Sequence, residues 1–168
     1  MVHVVSGPVS IAPPEGVRVT SVQSAAQMFD AVMEAKADAD IVIACAAVSD
    51  YAPKEMSGQK LKKTDGLVLE LVKTKDILAA LGKEKSYYLC GFAAETQNVE
   101  EYAREKLRKK NLDMIVANDV SGDGIGFDSA DNEVVIFKKD GSTHAVGKAG
   151  KDQIAREILR EIARDLDG

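Results

Sequence analysis

Asp40-Ile41-Val42-Ile43-Ala44-Cys45-Ala46 is the stretch on which the fold turns. After Asp40 it is continuously apolar, rich in β-branched side chains and too short for an ordinary helix. Such a run predicts a strand buried on both faces, the setting of a central strand in a parallel sheet. Just upstream, Val22, Ala25, Ala26, Phe29, Val32 and Met33 recur at three- and four-residue steps. They form one apolar helical face, with Ser21 as the expected N-cap. Further back, Val2–Val5 and Val17–Thr20 read as strands, separated by Ser6-Gly7-Pro8 and Pro13-Pro14-Glu15-Gly16.

Downstream, the pattern from Val48 to Gly66 breaks into Ser, Asp, Pro, Gly and Lys, a loop whose length points to function. Leu67–Val72 then alternates as a strand, Asp76–Leu81 reads as a short helix and Tyr87–Phe92 as a buried strand. Asn98–Lys110 predicts a helix and Asp113–Ala117 another strand. The turn-rich segment Asn118–Asn132 leads to a hairpin, Glu133–Lys138 and Ser142–Val146 about Asp140-Gly141. A closing helix carries Ile154, Ala155, Ile158, Leu159, Ile162, Ala163 and Leu166. Strands alternating with helices predict the α/β class: a doubly wound, Rossmann-like, mostly parallel sheet with an antiparallel edge hairpin. One domain is expected over residues 1–168.

Composition narrows the partners. The chain has 168 residues, with 22 Lys and Arg against 27 Asp and Glu, a net charge of −5. Nothing in that balance favours nucleic acid or an anionic membrane. No run approaches the ~18 apolar residues of a membrane span, and Met1–Val5 is too short for a signal sequence. Cys45 and Cys90 lie in apolar runs and read as reduced core thiols, which suits the cytoplasm. With two histidines, His3 and His144, and no pair of thiols at ligand spacing, no metal-binding set is assigned.

Open α/β sheets bind ligands beyond the C-terminal ends of their strands, so Ala46–Tyr51, Gly91–Thr96 and Ala117–Ser121 come first as candidate sites. In the first, small alanines admit a flat base, Asp50 accepts hydrogen bonds, and the following Lys60-Leu61-Lys62-Lys63 offers cations to phosphate or a developing oxyanion. A capping aspartate and a solvated basic loop would give the same letters. The helix Asn98–Lys110 is more unusual. Its apolar stripe is Val99, Tyr102, Ala103 and Leu107, and Lys106 and Lys110 continue that stripe at four-residue spacing. Cations on a buried face either converge on an anion or snorkel at the helix C-terminus, where they also complement the dipole. At the third segment, Phe92 offers a stacking face or ordinary packing. Asn118-Asp119 suits an Asx turn. Gly122-Asp123-Gly124-Ile125-Gly126 matches neither a dinucleotide fingerprint nor a P-loop, which argues against a dehydrogenase.

Taken in order along nearly the whole chain, these segments resemble the phosphopantothenoylcysteine synthetase family, the second half of a bifunctional bacterial coenzyme A enzyme. The resemblance is carried by Ser6-Gly7-Pro8-Val9, Ala46–Tyr51, Lys60–Lys63, Lys73–Leu78, Gly91–Thr96 with Asn98, Lys106–Lys110 and Ala117–Ser121, with Phe127 and Asn132 beyond. It implies a CTP-dependent ligase, with Mg²⁺, that joins 4′-phosphopantothenate to cysteine through an acyl-cytidylate. By the same match, Lys60 is the catalytic lysine. Ala44, Cys45, Ala46 and Asp50 line the nucleotide, Lys75, Asp76, Ile77 and Leu78 contact it, and Phe92, Lys106 and Lys110 complete the CTP pocket. A homodimer is implied, as is a flavin-dependent decarboxylase domain preceding this one in the parent protein.

Two positions depart from the family pattern. Ser49 stands where alanine is usual, and Lys75 where proline is usual before Asp76, which loosens the helix start and adds charge. The family's opening strand, glycine-rich turn and essential asparagine have no counterpart before Val2, so the expectation is nucleotide binding with impaired ligation. The rival reading is a Rossmann-like nucleotide-binding or assembly module without catalysis.

Overall fold

Ile41–Ala44 does form a strand, but one paired on a single side among the described residues. The structure is a computed structural model that describes residues 1–55, 57–60, 66–83, 85–95, 97–119 and 131–168. Contacts divide the chain into two compact units, Met1–Ala37 with Ala46–Ile77, and Asp38–Cys45 with Leu78–Gly168.

In the first unit, β1 (His3–Ser6) runs parallel to β2 (Arg18–Ser21), in register from His3 opposite Arg18 to Ser6 opposite Ser21. Helix α1 (Ala25–Ala35) is capped by Ser24, whose side chain accepts a hydrogen bond from the Gln27 amide at 3.2 Å. Ser21 is therefore not the cap, because its backbone belongs to the β1–β2 ladder. Gln27 in turn accepts from the Gln23 amide at 2.8 Å, so Ser24 and Gln27 work much as a capping box does. The segment expected to be one long loop holds a strand, β4 (Tyr51–Pro53), antiparallel to β5 (Leu71–Lys73).

The second unit holds the main sheet. Strand β3 (Ile41–Ala44) is followed by helix α2 (Ile77–Lys83, beginning at the unit boundary), β6 (Tyr88–Glu95), α3 (Val99–Lys109), β7 (Met114–Asp119), β8 (Asp131–Lys138), β9 (Thr143–Gly150) and α4 (Lys151–Asp167). The spatial order is β3-β6-β7-β8-β9; β3, β6 and β7 are mutually parallel, and β8 and β9 add the antiparallel hairpin. Gly141 turns that hairpin at φ +94°, a conformation that favours glycine.

Helices lie on both faces. Cys90, Met114, Val116, Val134 and Ile136 pack against Ile154, Ile158 and Ile162 of α4. Strand alternation turns Phe137 the other way, where the Arg104 guanidinium of α3 sits 4.9 Å from its ring centre. The doubly wound α/β class is thus the observed one. Two expectations need correction. Ile41 and Ile43 remain 40% and 39% exposed, because β3 pairs only with β6 among the described residues. Cys45 is exposed, because it lies one residue past the last paired position of β3, while Cys90 is buried as expected.

Close packing positions the helices against the strand ends. A Cβ on Gly91 would lie 2.9 Å from Leu78 Cδ2, so α2 packs closely on β6 and a larger residue there would have to displace the Leu78 side chain. Helix α3 ends in a Schellman motif. Asn111 adopts φ +50°, its amide donates to Arg108 at 3.2 Å, and the Leu112 amide donates to Leu107 at 2.9 Å.

Candidate functional site

The C-terminal ends of β3, β6 and β7 lie side by side in the second unit. Ala44, the last residue of β3, pairs with Gly91 of β6. Phe92 follows and is partly buried against the α4-side core. The Lys106 ammonium donates to the Phe92 carbonyl at 3.2 Å, so a cation is held at the end of β6. Lys106 and Lys110 are both half-buried, as their place on the apolar side of α3 implies. Leu78 packs across Gly91 from α2. Ala44, Leu78, Phe92 and Lys106 are therefore gathered at one end of the sheet, with Lys110 at the cap of α3.

The first unit brings together two segments that are 24 or more residues apart in sequence. Thr74 donates through its amide to the Asp50 carbonyl at 2.9 Å and through its hydroxyl to the Ser49 carbonyl at 2.7 Å. This clasp fixes Asp50 beside the start of Lys75-Asp76-Ile77. Ser49 also donates to the Tyr51 carbonyl at 2.8 Å, a local turn that alanine cannot make. Lys75 sits 4.6 Å from the centre of the Phe29 ring and 3.8 Å from Asp30, so its charge is directed to α1. Cys45, Ala46, Asp50 and Lys60 are exposed, with Cys45 belonging to the second unit. Leu61, Lys62, Lys63, Thr96, Val120, Ser121, Gly122–Gly126 and Phe127 lie outside the described residues.

Burial pushes the Cys90 thiol up to about 12, with a further push from neighbouring Cys45, so Cys90 stays neutral and inert. Among the described residues, no group of three His, Cys, Asp or Glu side chains is placed to hold a metal ion. None of their helices is long and apolar enough to cross a membrane.

A cleft of about 550 Å³ opens at the other end of the main sheet, near Tyr88 and Lys138. Its charges are matched internally. Lys138 bridges Glu161 at 2.7 Å and Asp165 at 2.6 Å, and the Tyr88 hydroxyl donates to Asp165 at 2.6 Å. Burial works to lower the Lys138 pKa, but hydrogen bonds to Asp165 and Glu161 outweigh it and the net shift is upward. Tyr88 is raised by burial first and by Asp165 second. This cluster fastens α4 to the sheet.

Sequence reasoning missed the Thr74 clasp, for which no local pattern exists. It also missed one feature at the strand ends: the side-chain oxygen of Asn118, near the end of β7, is buried without a hydrogen-bond partner. Its position after an apolar run was visible; its unmet acceptor was not.

Fold and site together define a Rossmann-like α/β domain with its candidate site at the ends of parallel strands. The chain belongs to the DNA/pantothenate metabolism flavoprotein C-terminal domain family, whose pattern matches residues 1–166. It is 50% identical to the coenzyme A biosynthesis bifunctional protein CoaBC of Bacillus subtilis over 165 residues, which is 96% of this chain and 41% of that protein. With the Escherichia coli K12 protein of the same name, identity is 41% over 172 residues, 99% of this chain and 42% of that protein. The chain thus spans about two-fifths of the length of these relatives. The solved C-terminal domain of a CoaBC protein superposes with a TM-score of 0.82 at 42% identity, covering 98% of this chain and 74% of that one. A Streptococcus pneumoniae DNA/pantothenate metabolism flavoprotein shares the fold at TM-score 0.77 and 22% identity, over 96% of this chain and 80% of that one.

Proposed function

We propose that this chain is the CTP-binding ligase domain of a coenzyme A biosynthesis enzyme. The observation that carries the reading is Lys106, half-buried and held 3.2 Å from the Phe92 carbonyl at the end of β6, with Lys110 at the cap of the same helix. A cation at that edge, where open α/β sheets bind their ligands, suits a nucleoside triphosphate. In the first step, the carboxylate of 4′-phosphopantothenate attacks the α-phosphate of CTP, forming the acyl-cytidylate and releasing pyrophosphate. The amine of cysteine then attacks the acyl carbon, forming the amide and releasing CMP.

Lys106 and Lys110 neutralise phosphate charge, and exposed Lys60 serves the conversion of the acyl-cytidylate by stabilising its oxyanion. Asp50, Lys75, Asp76 and Ile77 serve as further nucleotide-binding residues, and within the first unit the Thr74 clasp holds Asp50 beside the start of Lys75-Asp76-Ile77. Mg²⁺ enters with the triphosphate, since this ion keeps several waters and is held largely by substrate phosphates. The reading includes a homodimer. It is supported by the β4–β5 ribbon, on which Tyr51, Leu71 and Val72 are exposed and which would be marginal alone. A cytoplasmic setting and a flavin-dependent decarboxylase domain in the parent protein complete it.

Calorimetric titration of CTP, with ATP as comparison, tests the reading. The expected result is saturable binding that favours CTP and weakens about tenfold or more in Lys106→Gln, the loss typical of a charge-assisted contact. A folded chain that takes up neither nucleotide would instead be the non-catalytic assembly module.

A further inference from the structure

Thr74-Lys75-Asp76-Ile77 ends the first unit, and two of its side chains reach other parts of that unit. Thr74 is fastened by its hydrogen bonds to the Ser49 and Asp50 carbonyls. Lys75 reaches a different element, α1, where its ammonium lies 4.6 Å from the centre of the Phe29 ring and 3.8 Å from an Asp30 carboxylate oxygen. Of the two α1 contacts, the ring is the stronger. The Lys75 and Asp30 side chains are 66% and 74% exposed, and a surface ion pair of that kind adds little. An aromatic face within about 6 Å, by contrast, attracts an ammonium even at an exposed site. Phe29 is also a firm base. It is half-buried on α1, whose start is capped by Ser24, and the Val22 amide ahead of that cap donates to the Ser6 carbonyl at 2.8 Å. Lysine fixes no backbone angle of its own, as proline would, so order between β5 and α2 comes from contacts. The Thr74 clasp and the Lys75 contact supply two, on separate segments.

We infer that Lys75 is a positioning residue whose side chain ties the connection between β5 and α2 to α1, and so holds Asp76 and Ile77 ready for the nucleotide. The inference rests on the CTP reading above and adds to it how this binding segment is kept in order. With its ammonium on the Phe29 ring, Lys75 acts through the backbone that carries it and not by its charge on the phosphates. A segment that is ordered only part of the time binds with an affinity reduced by the ordered fraction. Loss of an exposed cation–π contact lowers that fraction by about two- to fivefold at most.

The test compares wild type with Lys75→Met, Lys75→Arg, Phe29→Leu and the double variant Lys75→Met with Phe29→Leu. Two quantities are read: hydrogen exchange of a peptide spanning residues 74–77 without nucleotide, by mass spectrometry, and CTP affinity by calorimetry. Lys75→Met and Phe29→Leu should each speed exchange there and weaken CTP by about two- to fivefold. Lys75→Arg should keep both near wild type, because a guanidinium also stacks on a ring. The double variant should be no weaker than the weaker single one, since both changes remove the same contact. If Phe29→Leu fails to fold, exchange and affinity in Lys75→Met and Lys75→Arg still decide. Weaker CTP binding in Lys75→Met with unchanged exchange overturns the inference, because the ammonium would then act on the ligand itself. Faster exchange with unchanged affinity overturns it too, leaving the contact purely structural, as does a variant that matches wild type in both. A folded wild type that binds neither CTP nor ATP removes the CTP reading, and this inference with it.

Discussion

Cys45 projects from the end of β3 into solvent, while Cys90, on the neighbouring strand, is sealed beneath α4 with its thiol held near 12 by burial. Native alkylation with iodoacetamide at pH 8 should therefore label Cys45 and spare Cys90, as peptide mass spectrometry would show. Saturating CTP should slow the labelling at least severalfold if Ala44, Cys45 and Ala46 line the nucleotide. Labelling of Cys90 in the folded chain would contradict the burial argument, and labelling of Cys45 at an unchanged rate would move the ligand elsewhere. The two thiols look alike in sequence, since each lies in an apolar run. What separates them is how far each strand stays paired, a non-local property. Lysines were more readable: Lys106 and Lys110 stood out because they continued an apolar stripe, and both are half-buried. Lys75 was not, because its partners Phe29 and Asp30 lie on another element.

At the scale of elements, α2 and the end of α3 meet closely near the site. A Cβ on Gly82 would lie 1.9 Å from the Lys110 carbonyl oxygen, a backbone atom that cannot swing aside. The Asn111 side chain also donates to the Gly82 carbonyl at 2.9 Å. Gly82→Ala gains up to about 1 kcal/mol of helix propensity but must push the end of α3 away, at an overpacking cost of about 1–3 kcal/mol. Net destabilisation is expected in urea unfolding, together with weaker CTP binding, since Lys110 would shift with the helix end. A variant as stable as wild type would show that the helices slide apart freely. Local signals made most elements legible: β-branched runs marked β3 and β7, the apolar run Tyr87–Phe92 marked β6, and Asp140-Gly141 marked the hairpin. The start of α1 was misplaced because Ser21 and Ser24 are equally good caps, and only the pairing of β2 with β1 decides between them.

Over the main sheet, stability and pH are tied through α4, whose apolar repeat was visible but whose buried charge was not. Ile154, Ile158 and Ile162 are buried as the period predicts, whereas Leu159 and Leu166 are exposed and Glu161 is buried instead. The reason is Lys138 of β8, which meets Glu161 directly on the sheet face that α4 covers. Such pairs leave no trace in a helical period. The Lys138 and Glu161 side chains are 10% and 6% exposed, so solvent screens them little. The hydrogen bond from Lys138 holds the Glu161 carboxyl below the usual carboxylate range, against the upward pull of burial. A lowered carboxylate pKa adds stability that is fully present above its unfolded value, about 4.3, and is lost as pH falls through the folded value. The raised Lys138 adds stability that is complete below about 10.4 and is lost as pH rises through its folded value. Between those limits the pair is intact. Lys138→Met should then cost about 3 kcal/mol at neutral pH by stranding Glu161 and Asp165, with Arg164 compensating only from the solvent side. The double change Lys138→Met with Glu161→Leu should recover much of that loss, because it removes both buried charges. Urea unfolding from pH 3 to pH 8 reads both effects. Wild type should lose stability steeply below pH 4, and the double variant should lose less. If Lys138→Met proves harmless at pH 7, the ion pair does not hold α4 to the sheet, and the apolar contacts of Ile154, Ile158 and Ile162 suffice.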